Sequence, residues 1–426
     1  MLITIVAFII VFGVIVTVHE FGHYYFAKKA GILVREFAIG MGPKIWAHHK
    51  NGTTYTIRLL PLGGYVRMAG LEEDDSESLQ KGLPINLILN DANQVIKIDT
   101  SHKTTLMAGI PLEVTDWDLT RELWIEGYEN GDETQVKRYV VDHDALIVEK
   151  DGTQVRIAPL DVQFQSASLP KRMLTNFAGP MNNFILSVIV FALIALIQGG
   201  VTQTTSYLAE VQAGSVAQKA GLKVNDQIIA INDHKTTDWL KISEMISQRP
   251  GKKTVITVKR KQQTKKITLT PATKKVDGQK VGQIGVVAKT KFDRSPLSII
   301  SYGFTQTWTA VLMVWGALVK IFTQGFSLND LGGPVAIYSA TQTAVQYGVL
   351  SVMTFIGLLS VNLGIVNLLP IPGLDGGKLL LNLVEAIRRK PLDPNKEMVI
   401  TMIGFVFVLI LIVLVTWNDI HRYFLH

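Results

Sequence analysis

The chain of 426 residues contains no cysteine. That excludes a disulfide scaffold, an iron–sulfur site and any zinc site built on thiolates. It leaves the redox compartment open. Charge is scarce too: Asp, Glu, Lys and Arg make up 18% of the residues, against 48% apolar ones. Disordered and fibrous chains are poor in apolar residues or built of repeats, so both classes are excluded. A mean hydropathy of +0.26 argues against a plain soluble enzyme. The formal charge of +7 would suit nucleic acid as a partner. The placement of the charges argues otherwise, because many lie just beyond apolar runs, where Lys and Arg set membrane orientation.

What is present is a set of long apolar runs. A hydrocarbon core about 30 Å thick needs roughly 20 apolar residues as a helix. Phe177–Ile197, Val349–Ile371 and Met398–Trp417 qualify. Leu2–Ala27 is long enough but carries His19, Glu20 and His23. It has no basic segment before it and no small-residue cleavage site after it, unlike a signal peptide. Pro296–Phe322 mixes Gln306, Thr307, Trp308, Thr309, Trp315 and Lys320 among its apolar residues, the pattern of a helix lying at an interface.

Charge flanks set the orientation. Lys28, Lys29 and Arg35 follow the first run, Lys171 and Arg172 precede the second, and Arg388, Arg389, Lys390 and Lys396 separate the last two. Four spans put all three groups on one side, inside. A fifth span at 296–322 would move Arg388–Lys390 outside. The expectation is therefore four spans, with both termini and residues 198–348 outside.

The expected organisation is a polytopic α-helical membrane protein. Residues 1–30 form transmembrane helix 1. Residues 50–70 form a membrane-associated β-hairpin, because Thr54–Leu59 and Tyr65–Met68 flank a Pro-Leu-Gly-Gly turn. Residues 71–170 form a cytoplasmic β-rich insert, opening on an acidic patch at Glu72, Glu73, Asp74, Asp75 and Glu77 that reads as a solvated linker. Helix 2 covers 175–198. One extracytoplasmic PDZ domain covers 203–290, on the pattern Ala220-Gly-Leu-Lys-Val-Asn-Asp. Extracytoplasmic interfacial helices cover 295–347, helix 3 covers 349–377 and helix 4 covers 398–418.

The chemistry starts at His19-Glu20-Phe21-Gly22-His23, an H-E-x-x-H motif. On a helix, positions i and i+4 share a face, so both imidazoles can ligate one metal while the glutamate reaches a bound water. Ionisable groups inside an apolar span are costly, on the order of 2.5 kcal/mol or more for an acid at its centre. A histidine pair capping the span at the headgroups is the bland alternative. Catalytic zinc takes three protein ligands and a water. Glu36, thirteen residues after His23, is one candidate for the third, but it lies beyond Lys28 and Lys29. Asp375 is the better one. It follows Asn367-Leu-Leu-Pro-Ile-Pro-Gly-Leu, whose prolines and glycine open a helix at membrane depth, as backbone lining a cavity can. Its bland alternative is a helix N-cap. Orientation places His19, His23 and Asp375 in the same half of the membrane.

These residues resemble the bacterial site-2 proteases, intramembrane zinc metalloproteases of the kind that cleave membrane-bound anti-sigma factors. The likeness covers His-Glu-Phe-Gly-His, Pro-Leu-Gly-Gly-Tyr-Val, Phe177-Ala-Gly-Pro-Met-Asn-Asn-Phe, the PDZ segment and Asn362 to Gly377. Two departures are visible: one PDZ segment where some relatives have two, and a larger insert. The resemblance implies His19, His23 and Asp375 as zinc ligands and Glu20 as general base. It implies Asn362 and Asn367 as substrate contacts. The edge of the 54–68 hairpin, with Tyr65 and Arg67, would hold an unwound substrate by strand pairing. Asn183 reads equally as span-to-span packing, and Gly179 as a close-packing residue. The implied partners are single-span membrane substrates and the lipid bilayer of the bacterial cytoplasmic membrane, with no nucleic acid. A silent scaffold presenting a PDZ domain remains an alternative, as does a transporter, although a transporter would usually show paired repeats with broken helices.

Overall fold

A computed structural model describes residues 2–70, 79–101, 109–276, 279–325, 327–328, 331–390 and 392–424. The acidic patch from Glu72 to Glu77 lies outside the described residues. Contacts divide the chain into two units, Met1–Phe191 with Gly303–His426, and Ala192–Tyr302.

The first unit opens with helix α1 (Leu2–Ala30), whose last turn carries Lys28 and Lys29, where cations offset the negative helix end. Gly31, at φ +86°, terminates it in the left-handed conformation while the Ile32 amide donates to Ala27 O at 3.0 Å. Strands β1 (Val34–Lys50) and β2 (Thr53–Met68) follow. Here the structure departs from the hairpin read from sequence. The arms Thr54–Leu59 and Tyr65–Met68 both belong to β2 and both register with β1: Ala38 is aligned with Thr56 and with Tyr65. The first half of β1 thus lies between the two arms. Its Gly40, Gly42 and Pro43 hide it from a search for β-prone runs.

Six strands come next: β3 (Pro84–Leu89), β4 (Val95–Asp99), β5 (Ile110–Asp118), β6 (Trp124–Glu129), β7 (Val136–Val148) and β8 (Gln154–Arg156). They run in the order β4-β3-β5-β6-β7-β8, and a parallel pairing of β4 with β7 closes the sheet on itself. Leu87, Val95, Ile98, Leu112, Val114 and Ile125 fill its interior. This insert is tied to the β1–β2 sheet by Arg67–Glu149 at 2.8 Å, by Lys44 Nζ donating to Thr153 Oγ1 at 2.7 Å, and by Thr54 donating to Gln154 O. Helix α2 (Leu169–Ile197) completes this part.

The second unit is β-rich, with strands β9 (Val201–Val211), β10 (Gln227–Ile231), β11 (His234–Lys235), β12 (Thr254–Arg260), β13 (Gln263–Leu269), β14 (Ala272–Val276), β15 (Gln279–Gln283) and β16 (Val286–Asp293), and helices α3 (Val216–Lys219) and α4 (Trp239–Ser247). The main sheet has the order β13-β12-β10-β9-β16, with β11 on β10. Leu208, Ile228, Ile231, Ile242 and Ile256 make its core. Asp226 is fully buried and bound by Arg260 through two hydrogen bonds of 2.7 and 2.8 Å.

The chain returns to the first unit through α5 (Pro296–Gln324), α6 (Pro334–Gln346), α7 (Val349–Asn367), α8 (Asp375–Arg388) and α9 (Pro394–Phe424). Among the described residues five helices, α1, α2, α5, α7 and α9, are long and apolar enough to cross a membrane, α5 being the least apolar of them. The middle of α5 packs against α2 and α7. Thr307 Oγ1 meets Ser187 Oγ at 3.0 Å, both buried, and Ala310 touches the cluster of Val361 and Ile365. Gly303, Thr307 and Ala310, followed by Val314 and Leu318, make that face at helical spacing, while Phe304, Trp308 and Trp315 point away and are exposed.

Candidate metal centre

Two elements converge at the C-terminal end of α7. Between Leu368 and Leu374 the helix is broken, Gly373 taking φ +91°. Helix α8 then restarts with Leu374 as N-cap and no side chain capping it. Asp375 is therefore not a cap, and its carboxylate is available to other partners. A side chain at Gly376 would collide with the carbonyls of Leu368 and Leu369, and one at Gly377 with Ile371 O. The glycine pair is what lets α8 fold back so closely. Arg172 of α2 and Glu385 of α8, 2.6 Å apart and largely buried, hold α8 in place.

The result is a triangle of donor atoms. His19 Nε2 and His23 Nε2 lie 3.3 Å apart, and Asp375 Oδ2 lies 3.2 and 3.3 Å from them. Both histidines are buried, and Asp375 Oδ2 is a buried oxygen with no other hydrogen-bond partner among the described residues. His23 Nδ1 must carry a proton, because it faces the carbonyl oxygen of Thr175 at 2.8 Å. A neutral His23 then turns the Nε2 lone pair into the triangle. Lone pairs facing a carboxylate repel unless a cation sits among them. Tetrahedral zinc with ligands at 2.0–2.1 Å has donor–donor edges of about 3.3–3.4 Å. The residues present fit zinc in number, type and spacing.

The other walls come from α2 and β2. Thr175, Gly179 and Asn183 recur at every fourth residue and so share one face of α2. A β-carbon at Gly179 would collide with the His23 imidazole. Asn183, fully buried, places its amide 3.1 Å from His19 Nδ1. Glu20 is half-buried on the side of α1 that faces β2, where a β-carbon at Gly64 would stand 3.6 Å from Glu20 Cγ.

Other residues singled out by sequence fall elsewhere. Glu36 is 1% exposed and accepts from Thr56 Oγ1 at 2.5 Å, Arg58 Nη2 at 2.7 Å and Tyr65 OH at 2.9 Å. It is the internal anchor of the β1–β2 sheet, not a ligand. The side chains of Tyr65 and Arg67 are engaged with Glu36 and Glu149, which leaves the main chain of β2 as what this strand can offer a partner. Asn362 is exposed on α7 and Asn367 half-buried at its end. No hydrogen bond joins either to the donor triangle among the described residues. Sequence reasoning left Asn183 undecided. The signal that could have found it is the four-residue spacing of Thr175, Gly179 and Asn183.

Known proteins share this sequence along nearly its whole length. Residues 7–411 match the model of peptidase family M50. A protein of Enterococcus faecalis named "Probable protease eep" is 53% identical over 423 residues, 99% of each chain. A Streptococcus pneumoniae protein named "Putative zinc metalloprotease" is 46% identical over 425 residues, again 99% of each. Insert and second unit therefore both lie within the length shared with these relatives.

Proposed function

The chain belongs to peptidase family M50, the site-2 protease family, and is a zinc metalloprotease; on that premise we propose that it hydrolyses peptide bonds within or near the transmembrane segment of single-span membrane proteins, in regulated intramembrane proteolysis. Anti-sigma factors and remnant signal peptides are the substrate classes this reading admits. The observation that carries it is the donor triangle of His19, His23 and Asp375, set among long apolar helices, with the edge of a β-sheet beside Glu20.

A bound zinc ion supplies Lewis acidity, lowering the pKa of a coordinated water to about 7 and polarising a carbonyl. Glu20 takes the proton of the attacking water and delivers it to the leaving amine nitrogen. A helical substrate hides its carbonyls in hydrogen bonds and must be unwound first. The Gly64–Met68 arm of β2 pairs with the unwound segment through its main chain. Tyr65 and Arg67 act by holding that strand in place. Asn362 and Asn367 offer amides to the substrate backbone.

The protein resides in the bacterial cytoplasmic membrane, with α1, α2, α7 and α9 crossing it. Helix α5 packs against α2 and α7 from the outer side without completing a crossing, since a fifth crossing would carry Arg388, Arg389 and Lys390 outside. The second unit is an extracytoplasmic PDZ domain that restricts entry to substrates already trimmed outside. The insert is cytoplasmic.

The test is cleavage of a short-ectodomain, single-span substrate in detergent by wild type and Glu20→Gln, with zinc content measured for both. Cleavage by wild type alone, with zinc in both, is the expected result. Equal cleavage by the two would overturn the mechanism.

A further inference from the structure

We propose that Asn183 is a positioning residue for the zinc site, fixing His19 in the tautomer that presents Nε2 as a lone-pair donor. A neutral imidazole carries one N–H and one lone pair, so Nε2 can ligate only if Nδ1 holds the proton. For His23 the acceptor of that proton is the carbonyl of Thr175. For His19 the neighbour at Nδ1 is the Asn183 amide, 3.1 Å away.

Three observations support the assignment. Asn183 is fully buried, so its amide must find partners inside the protein. Its Oδ1 is a buried oxygen with no hydrogen-bond partner among the described residues, while its Nδ2 faces His19 Nδ1. A half-turn of the amide exchanges the two ends, which are nearly identical in shape, and gives the orphaned oxygen the Nδ1 proton. The residue is also held from its far side: Ser360 of α7 donates to the Asn183 carbonyl at 2.8 Å, both residues being fully buried. Ser360, Asn183 and His19 thus link α7, α2 and α1 in one chain. From Thr175 and Asn183, two turns apart on one face, α2 orients both histidines, and Gly179 between them lets the two rings lie directly against the helix.

Outer partners of metal-bound histidines typically change metal affinity 10–100-fold when removed. The experiment is zinc affinity by chelator competition, in the Glu20→Gln background and with no substrate, so its outcome is separate from that of the protease reading. Asn183→Leu keeps the volume and removes the acceptor; a loss of 10–100-fold is expected. Asn183→Asp restores an acceptor at the same place and should recover at least ten-fold of that loss. Ser360→Ala removes only the hydrogen bond to the Asn183 main chain, leaves the side-chain amide in place, and should lose several-fold less affinity than Asn183→Leu. Wild-type affinity in Asn183→Leu would overturn the proposal. So would equal losses in Asn183→Leu and Ser360→Ala, or no recovery in Asn183→Asp, since either result would make Asn183 a packing residue.

Discussion

Gly64 of β2 lies against Glu20 of α1, close enough that a β-carbon at Gly64 would stand 3.6 Å from Glu20 Cγ and 2.7 Å from the carbonyl oxygen of Ala38. A β-carbon there would reach α1 in ordinary contact but collide with Ala38 O of β1, so a side chain at this position must shift the strand beside Glu20. Gly64→Val should therefore lower kcat/KM at least ten-fold, while zinc content stays at the wild-type level because the donor triangle lies on other elements. Zinc analysis beside a cleavage assay checks this; loss of zinc would mean that the strand supports the ligands themselves.

The donor triangle should tolerate little change. Asp375→Asn keeps the shape and removes the anionic oxygen. Gly179→Ala keeps all three ligands and places a methyl group against the His23 ring. Both should lose zinc, the second by on the order of ten-fold in affinity, as expected when the surroundings of a ligand are disturbed. Glu20→Gln should keep zinc and lose about 10²–10⁴-fold in rate, the range of general acid–base catalysis. Metal analysis and single-turnover cleavage separate the two behaviours.

The second unit should show an acid-side stability loss centred on Asp226. Burial pushes its carboxyl up, but the Arg260 guanidinium and the Lys223 amide outweigh burial and hold it below the usual range. A group with a depressed folded pKa contributes stability fully above its unfolded value, about 3.9, and loses it as pH falls through the folded one. Arg260→Met removes the partner and leaves a buried carboxylate. The cost approaches about 3–5 kcal/mol, the range for breaking a buried pair from one side. Thermal unfolding of the full chain against pH checks both the sign and the size.

The proposed gating role requires the second unit to lie outside. Deleting residues 205–290 should abolish discrimination between full-length and trimmed substrates while sparing cleavage of the trimmed one. Unchanged discrimination would remove the gate from the mechanism.

Placement of α5 is tested by a cysteine at Trp315 in this naturally cysteine-free chain. A membrane-impermeant thiol reagent should reach it from outside only. Ready labelling from the cytoplasmic side would make α5 a fifth crossing.

Much of this protein was legible before any fold was known. His19 and His23 sit four apart, and helix periodicity alone brings them to one face. Asp375 follows a helix broken by two prolines and a glycine, and polar groups in apolar runs are too costly to be idle. Such signals are local: they depend on chain spacing and on the solvent around the segment. What only the tertiary structure decided is which distant segments meet. Glu36 looked like a possible ligand until Arg58, Thr56 and Tyr65 were seen to bind it. Strand β1 was hidden by its glycines, and its insertion between the arms of β2 depends on pairing that no local propensity encodes. Asn183 became a partner of His19 because Gly22 lies against Ala178 O and Gly179 against His23, letting α1 and α2 approach almost backbone to backbone. Spacing in the chain sets which atoms can ligate; packing between helices sets the atoms that hold them in place.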